Sequence, residues 1–161
     1  MSIINVVGAK IWGGGEQYVY DICKQLQQRH RTAYILVDQS NEDMQSRYAQ
    51  VGHVMTANLY TLKGFLSVNA VAKQMKEQGI NTIVCHSGKY ILFCIALKQL
   101  TGAKLVFIKH NLVPGKTDMY HRWINAQVDA FVCVSKLVYD DLMTPVIKDT
   151  SKYHVVYNGI D

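Results

Sequence analysis

The sequence is poor in every feature that would take it out of the ordinary globular class. No apolar run approaches the roughly 18 to 20 residues that a membrane-spanning helix needs, and Met1 to Val7 lacks the charged start and long apolar centre of a secretory leader. The expectation is a cytosolic chain. None of the four cysteines (Cys23, Cys85, Cys94 and Cys133) belongs to a CxxC pair or a metal-ligand spacing. Disulfides and structural zinc are therefore not expected, and each thiol reads as a small buried hydrophobe. Internal repeats, low-complexity segments and linkers are missing too, which leaves one domain as the default.

What remains suffices for a core. The chain has 161 residues, 49% of them hydrophobic, a size that buries roughly 70% of its unfolded surface. Its net charge of +5 fits an anionic partner (nucleotide, acidic membrane surface or nucleic acid) or merely a solvated basic surface. Strand-length apolar runs occur at Ile3–Val7, 33–37, 52–56, Thr82–Cys85, 104–108, 130–134 and 153–156. Helical patterns alternate with them at 16–29, 66–78, 89–100, 118–127 and 136–143, the first with Val19, Ile22, Cys23 and Leu26 on one face. Continuous apolar strands imply a sheet covered on both sides. The predicted fold is α/β: a Rossmann-like, doubly wound parallel sheet with helices on both faces, in the order 3-2-1-4-5-6. Ligands should gather at the carboxyl ends of its strands, near the point where the order reverses.

Against that fold, Gly13, Gly14 and Gly15 in WGGGEQYVYDI stand at the first strand-to-helix turn. A run of glycines is expected where the chain bends tightly or where something must approach its amides. At a helix start the unpaired amides and the dipole favour phosphate oxygens, so a packing turn and an anion site are both open. Gly8 to Gly15 does not match GxGxxG, and only Asp38 stands near the usual place of a ribose-binding acid. Gly8 and Gly13 have Walker-like spacing without the Lys-Ser/Thr pair, and Gly88-Lys89 is followed by Tyr90, so an NTPase is excluded and a nicotinamide cofactor is demoted. His110 and His86 each follow an apolar run, at the strand ends where site residues concentrate, although either could serve only its local turn. Ser135 is expected to cap a helix, and Asp129 to be structural.

Taken in order, GGGEQYVYDICKQL, IKHN, DAFVCVSKLVYDDL and YHVVYNGID resemble the amino-terminal half of GT-B glycosyltransferases, in particular the retaining family 4, over the whole chain. The matching elements are the Gly-Gly-x-Glu-like start of the first helix at 13–16, His110, the stretch from Asp129 to Ser135, and the closing Asn158-Gly159-Ile160-Asp161. A third glycine departs from the family pattern, as does Gln17 where members often carry Arg.

The resemblance implies that residues 1–161 form the amino-terminal, acceptor-side Rossmann-like domain, with the donor-binding carboxyl-terminal domain absent from the chain. The implied activity is hexosyl transfer, with retention, from a nucleotide-sugar donor to a saccharide or lipid-linked acceptor in polysaccharide or glycoconjugate biosynthesis. The chain alone would be inactive. Gly13, Gly14, Gly15 and Glu16 would meet the donor's diphosphate and sugar, and His110 would contact the sugar near the reacting carbon. His86, Asn111, Lys116 and Arg122 would face the acceptor. No DxD motif is present, and no cofactor, metal or nucleic acid is expected.

The implied location is cytoplasmic, with peripheral contact at the inner face of the plasma membrane. One candidate for that contact is the helix carrying Lys63, Lys73 and Lys76 among Phe65, Leu66 and Val68, although the pattern reads first as an ordinary amphipathic helix on the sheet. The alternative from another class is a stand-alone nucleotide or dinucleotide-binding Rossmann module.

Overall fold

Strand β1 (Ile3–Val7) is apolar except for Asn5, and all but its first residue are buried. A strand with no exposed face belongs inside a sheet covered on both sides. In the computed structural model, which describes residues 1–60, 64–143 and 150–159, β1 pairs in parallel with β2 (Tyr34–Asp38) on one side and β4 (Thr82–Cys85) on the other. The sheet extends through β3 (His53–Ala57) at one edge and through β5 (Lys104–Lys109), β6 (Ala130–Cys133) and β7 (Tyr153–Val155) at the other. All its pairings are parallel, in the order β3-β2-β1-β4-β5-β6-β7. The predicted order of six stands, and the run near 153 adds a seventh strand beyond β6. The reversal between β1 and β4 is the crevice where ligands of such sheets gather.

Helices α1 (Gly14–Gln28) and α2 (Glu42–Tyr48) cover one face, burying Val19, Cys23, Met44 and Tyr48 against Val7, Ile35 and Val37. The other face is covered by α3 (Gly64–Glu77), α4 (Ile91–Thr101), α5 (Met119–Gln127) and α6 (Lys136–Leu142). There Met75, Leu97, Ile124 and Val138 pack with Ile4, Ile83 and Leu105. A single turn of 3-10 helix, Gly88–Tyr90, leads into α4. All four cysteines are free and buried. Ser135 caps α6 by accepting from the Val138 amide at 3.2 Å. Asp129 ties strand to helix, with Lys98 Nζ at 2.8 Å and the Leu105 amide at 2.8 Å on its carboxylate.

Several expectations change. Helix α2 had no counterpart in the sequence reading because only Met44 and Tyr48 in EDMQSRY mark a face; the Asn41 side chain, accepting from the Met44 amide at 3.1 Å, starts it. Helix α1 begins at Gly14, two residues before the predicted start, so two of the glycines are helical. Gly13 has φ −140°, and the positive-φ glycines among the described residues are Gly79 and Gly102. The glycine run therefore serves no left-handed turn. On α3, Val68 is buried in the core and cannot face lipid, while Leu66, Lys73 and Lys76 are exposed. Lys63 and the Phe65 side chain lie outside the described residues, as do Ile160 and Asp161. No described helix is long and apolar enough to cross a membrane.

Packing does require glycine at Gly52, where a Cβ would lie 2.7 Å from the Ala33 carbonyl oxygen, and, close to the run, at Gly8. A Cβ on Gly8 would lie 2.8 Å from Tyr60 Oη and 2.9 Å from the Tyr90 ring, whereas a Cβ on Gly14 would meet nothing within 4 Å. Gly8→Ala should cost about 1–3 kcal/mol through overpacking, and Gly14→Ala should stay within about 0.5 kcal/mol of the parent. Urea melts of both variants check this, and equal losses would contradict it.

Candidate functional site

The site begins with a polar atom in the wrong place. Asn5 is 5% exposed in the middle of the central strand, and a buried carboxamide left unbonded is costly. Its Oδ1 lies 3.0 Å from His86 Nε2, just past the end of β4. A carboxamide oxygen only accepts, so His86 carries its proton on Nε2 and offers a lone pair at Nδ1. That lone pair lies 3.0 Å from His110 Nε2, just past β5, which must therefore be the donor. The chain runs from His110 to His86 to Asn5. It leaves the His110 Nδ1 lone pair with no partner among the described residues.

Packing holds the same arrangement. The two imidazoles stack at 5.3 Å and 22°, and Tyr18 of α1 meets the His110 ring edge-on at 5.2 Å. A Cβ on Gly15 would lie 3.8 Å from His110 Cδ2, so the first turn of α1 lies directly against that ring. Burial, with His110 beside it, pushes the His86 pKa down to about 3. Burial also lowers His110, opposed by the Glu16 carboxylate. Both rings are thus neutral near neutral pH.

At the helix start, Glu16 turns back to accept from the Gly13 amide at 3.0 Å. Helix geometry leaves the amides of Gly14 and Gly15 without intrahelical acceptors, at the positive end of the dipole. Gly13 and Gly14 are exposed, and the space around Gly14 is open. Amides without helical acceptors thus stand beside a histidine with a free lone pair, at the carboxyl edge of the sheet. Gln17, where an arginine was expected from the resemblance, is engaged by Trp12 Nε1 at 3.1 Å and reaches Asp21 at 2.9 Å.

The model of Glycosyltransferase Family 4 matches residues 12–161. The chain belongs to glycosyltransferase family 4. A glycosyltransferase from Rickettsia africae ESF-5 superposes with a TM-score of 0.84 at 18% identity, over 99% of this chain and 43% of its own. Anabaena HepE, solved with UDP and glucose, gives 0.74 at 17% identity over 100% and 45%. Acinetobacter baumannii MurG gives 0.68 at 12% identity over 100% and 47%. At such identities the likeness is one of fold, that of a Rossmann-like GT-B domain. The chain spans less than half the length of these structures. No curated protein matches it by sequence.

Within this family-4 domain, Gly13, Gly14, Gly15, Glu16, His86 and His110 come together at one edge. Two of them stand differently from expectation. His86 lies between Asn5 and His110 and both its ring nitrogens are engaged, so it orients His110 where it was expected to face an acceptor. The Glu16 carboxylate is held by the helix it caps. Lys116 lines a separate cavity with Lys109, and Asn111 and Arg122 are exposed, on the loop after β5 and on α5.

Asp38 cannot serve a ribose. It is buried, with one carboxylate oxygen taking the Leu59 amide at 3.0 Å and the other the Ser40 amide at 3.0 Å and hydroxyl. Asn5 and Tyr18 are participants that the sequence reading missed. Asn5 was signalled by its polarity inside IINVV, whereas nothing distinguishes Tyr18 from its helical neighbours. Among the described residues, no three His, Cys, Asp or Glu side chains converge as metal ligands.

The folded pKa of His86, about 3, lies below the ordinary histidine value of about 6.5. Between those values the unfolded chain binds the extra proton. The stability associated with the neutral ring is therefore complete above about pH 6.5 and is lost as pH falls toward 3. His86→Gln should flatten this part of the stability-against-pH curve, measured by urea melts from pH 7 to pH 4. An unchanged slope would contradict it.

Proposed function

We propose that this domain is the amino-terminal half of a retaining hexosyltransferase, and that it transfers a sugar from a nucleotide-sugar donor to a saccharide or lipid-linked acceptor. The observation that carries the reading is the Nδ1 of His110, without a partner among the described residues, beside the first turn of α1, where the space around Gly14 is open. In this reading a second, donor-binding domain brings the nucleotide sugar against that edge. The Gly14 and Gly15 amides hydrogen-bond the diphosphate as the bond between it and the anomeric carbon breaks. His110 Nδ1 accepts from a hydroxyl of the sugar, and its lone pair supports the positive charge that grows on the ring. His86 and Asn5 keep the proton on His110 Nε2, which holds Nδ1 in its accepting state. Glu16 fixes the first turn.

In the same reading, the amides balance the leaving charge without a metal ion. The reaction belongs to polysaccharide or glycoconjugate assembly on the cytoplasmic side of a membrane. Support comes from family membership and from HepE, a protein of this fold solved with UDP and glucose.

The experiment uses a panel of nucleotide sugars. The 161-residue chain alone should give no turnover, and joined to a donor-binding domain it should transfer sugar even in EDTA. In that joined enzyme His110→Ala should lower kcat by about 10²-fold, the scale of losing one preorganised hydrogen-bonding group, while thermal melting still shows a folded protein. Gly14→Val should lose transfer far more than it loses folding. A folded His110→Ala enzyme with normal turnover would overturn the assignment.

A further inference from the structure

Three described lysines are half-buried, and the fold treats one of them differently. Lys98 Nζ bonds the Asp129 carboxylate at 2.8 Å and the Gln127 carbonyl at 2.6 Å. Lys152 Nζ bonds the carbonyls of Asn125 at 2.5 Å and Val128 at 3.0 Å. Lys109, the last residue of β5, has neither a carboxylate nor a carbonyl partner among the described residues. Its ammonium lies over the Phe107 ring, 4.2 Å from the centroid, a contact that offsets part of the cost of burial. That cost remains visible: burial lowers the Lys109 pKa, opposed only by the Cys85 and Cys133 thiols.

Lys109 lines a cavity of about 250 Å³, together with Phe107, Val113, Lys116, Tyr120, Ile124 and Phe131. Its lining is mostly apolar with two cations. The acid that belongs to the nearby loop, Asp118, is held by the His121 ring at 2.6 Å and by its amide at 3.2 Å. The cavity is smaller than the roughly 300–1,000 Å³ that enclose a drug-sized ligand. It suits a headgroup whose remainder lies outside, and two of its lining residues, Val113 and Tyr120, are about half exposed (47% and 50%) and present apolar surface there.

We propose that this pocket binds the anionic group of an amphiphilic acceptor: a phosphate or carboxylate oxyanion on Lys109, with Lys116 beside it and the attached apolar segment running over Val113 and Tyr120. The word acceptor rests on the transferase reading; the binding does not. An oxyanion would give the ammonium the charge-assisted partner that Lys98 has inside the fold, and the apolar walls would keep that pair poorly screened.

The test is calorimetric titration of the chain with octyl phosphate, octanoate, octyl glucoside and inorganic phosphate. Octyl phosphate or octanoate should bind about tenfold or more tighter than octyl glucoside, the scale of one hydrogen bond to a charged group. Whichever of the two binds more tightly names the oxyanion. Lys109→Met should remove that preference and melt at a higher temperature than the parent, because it removes a half-buried ammonium that has no carboxylate or carbonyl partner among the described residues.

A parallel measurement needs no variant: octyl phosphate should slow acetylation of Lys109 at least about fivefold relative to exposed Lys24, read by mass spectrometry, a protection expected of a group taken from solvent into a charge-assisted pair. Equal affinity for octyl glucoside, full affinity for inorganic phosphate alone, unchanged binding in Lys109→Met, or no protection of Lys109 would each overturn the proposal. Sugar transfer by the enzyme joined to its donor-binding domain that persists when binding fails would leave the transferase reading standing, and binding with no transfer by that joined enzyme would overturn that reading alone.

Discussion

A carboxamide buried in the central strand of a parallel sheet has to be hydrogen-bonded, and the candidate site follows from how this fold meets that demand. β1 is flanked on both sides and covered on both faces, so water does not reach Asn5. Its partner must come from a neighbouring strand end, and His86 supplies it. Once His86 donates to Asn5, its other nitrogen can only accept, and His110 can only donate to it. One buried amide thereby sets the proton positions of two histidines and leaves one lone pair free at the edge of the sheet. Burial reinforces the arrangement, because the charge that would scramble it is disfavoured in both rings.

The carboxyl edge of the sheet then divides into two regions of different chemistry. Beside β1 and β4, the start of α1 offers backbone amides and dipole with no fixed charge, apart from a carboxylate already turned onto Gly13. Beneath the loop that follows β5, the cavity offers a formal positive charge in apolar walls. Preorganised amides stabilise charge that develops during a reaction, whereas a desolvated ammonium suits an anion that is present throughout. In the proposed transfer the first region would meet the leaving group and the second the acceptor.

Much of this was legible in the residues. Unbroken apolar runs at Ile3–Val7 and Thr82–Cys85 predicted a covered parallel sheet, and both runs form strands with those bounds. His86 and His110 were picked out by their places after such runs, and the structure brings them within hydrogen-bonding distance. The short helix α2 was not legible, because its stability comes from two buried side chains and a cap at Asn41 that resembles any polar loop residue. The hydrogen bonding of His86 was not legible for a similar reason: its partner Asn5 lies 81 residues away in sequence, and no local pattern reports such a contact. The triple glycine left a packing turn and an anion site both open, and the structure leaves the space around Gly14 free. Close to the run, the packing constraint falls on Gly8, where two tyrosines from distant segments converge.

The central claim is the proton arrangement that leaves His110 Nδ1 free, and long-range ¹H–¹⁵N NMR of the imidazoles in the intact chain at pH 7 tests it most directly. The account predicts two neutral rings, each protonated at Nε2, with the His110 Nδ1 resonance in the range of an unprotonated nitrogen. A His110 ring protonated at Nδ1, or a charged His86, would contradict it.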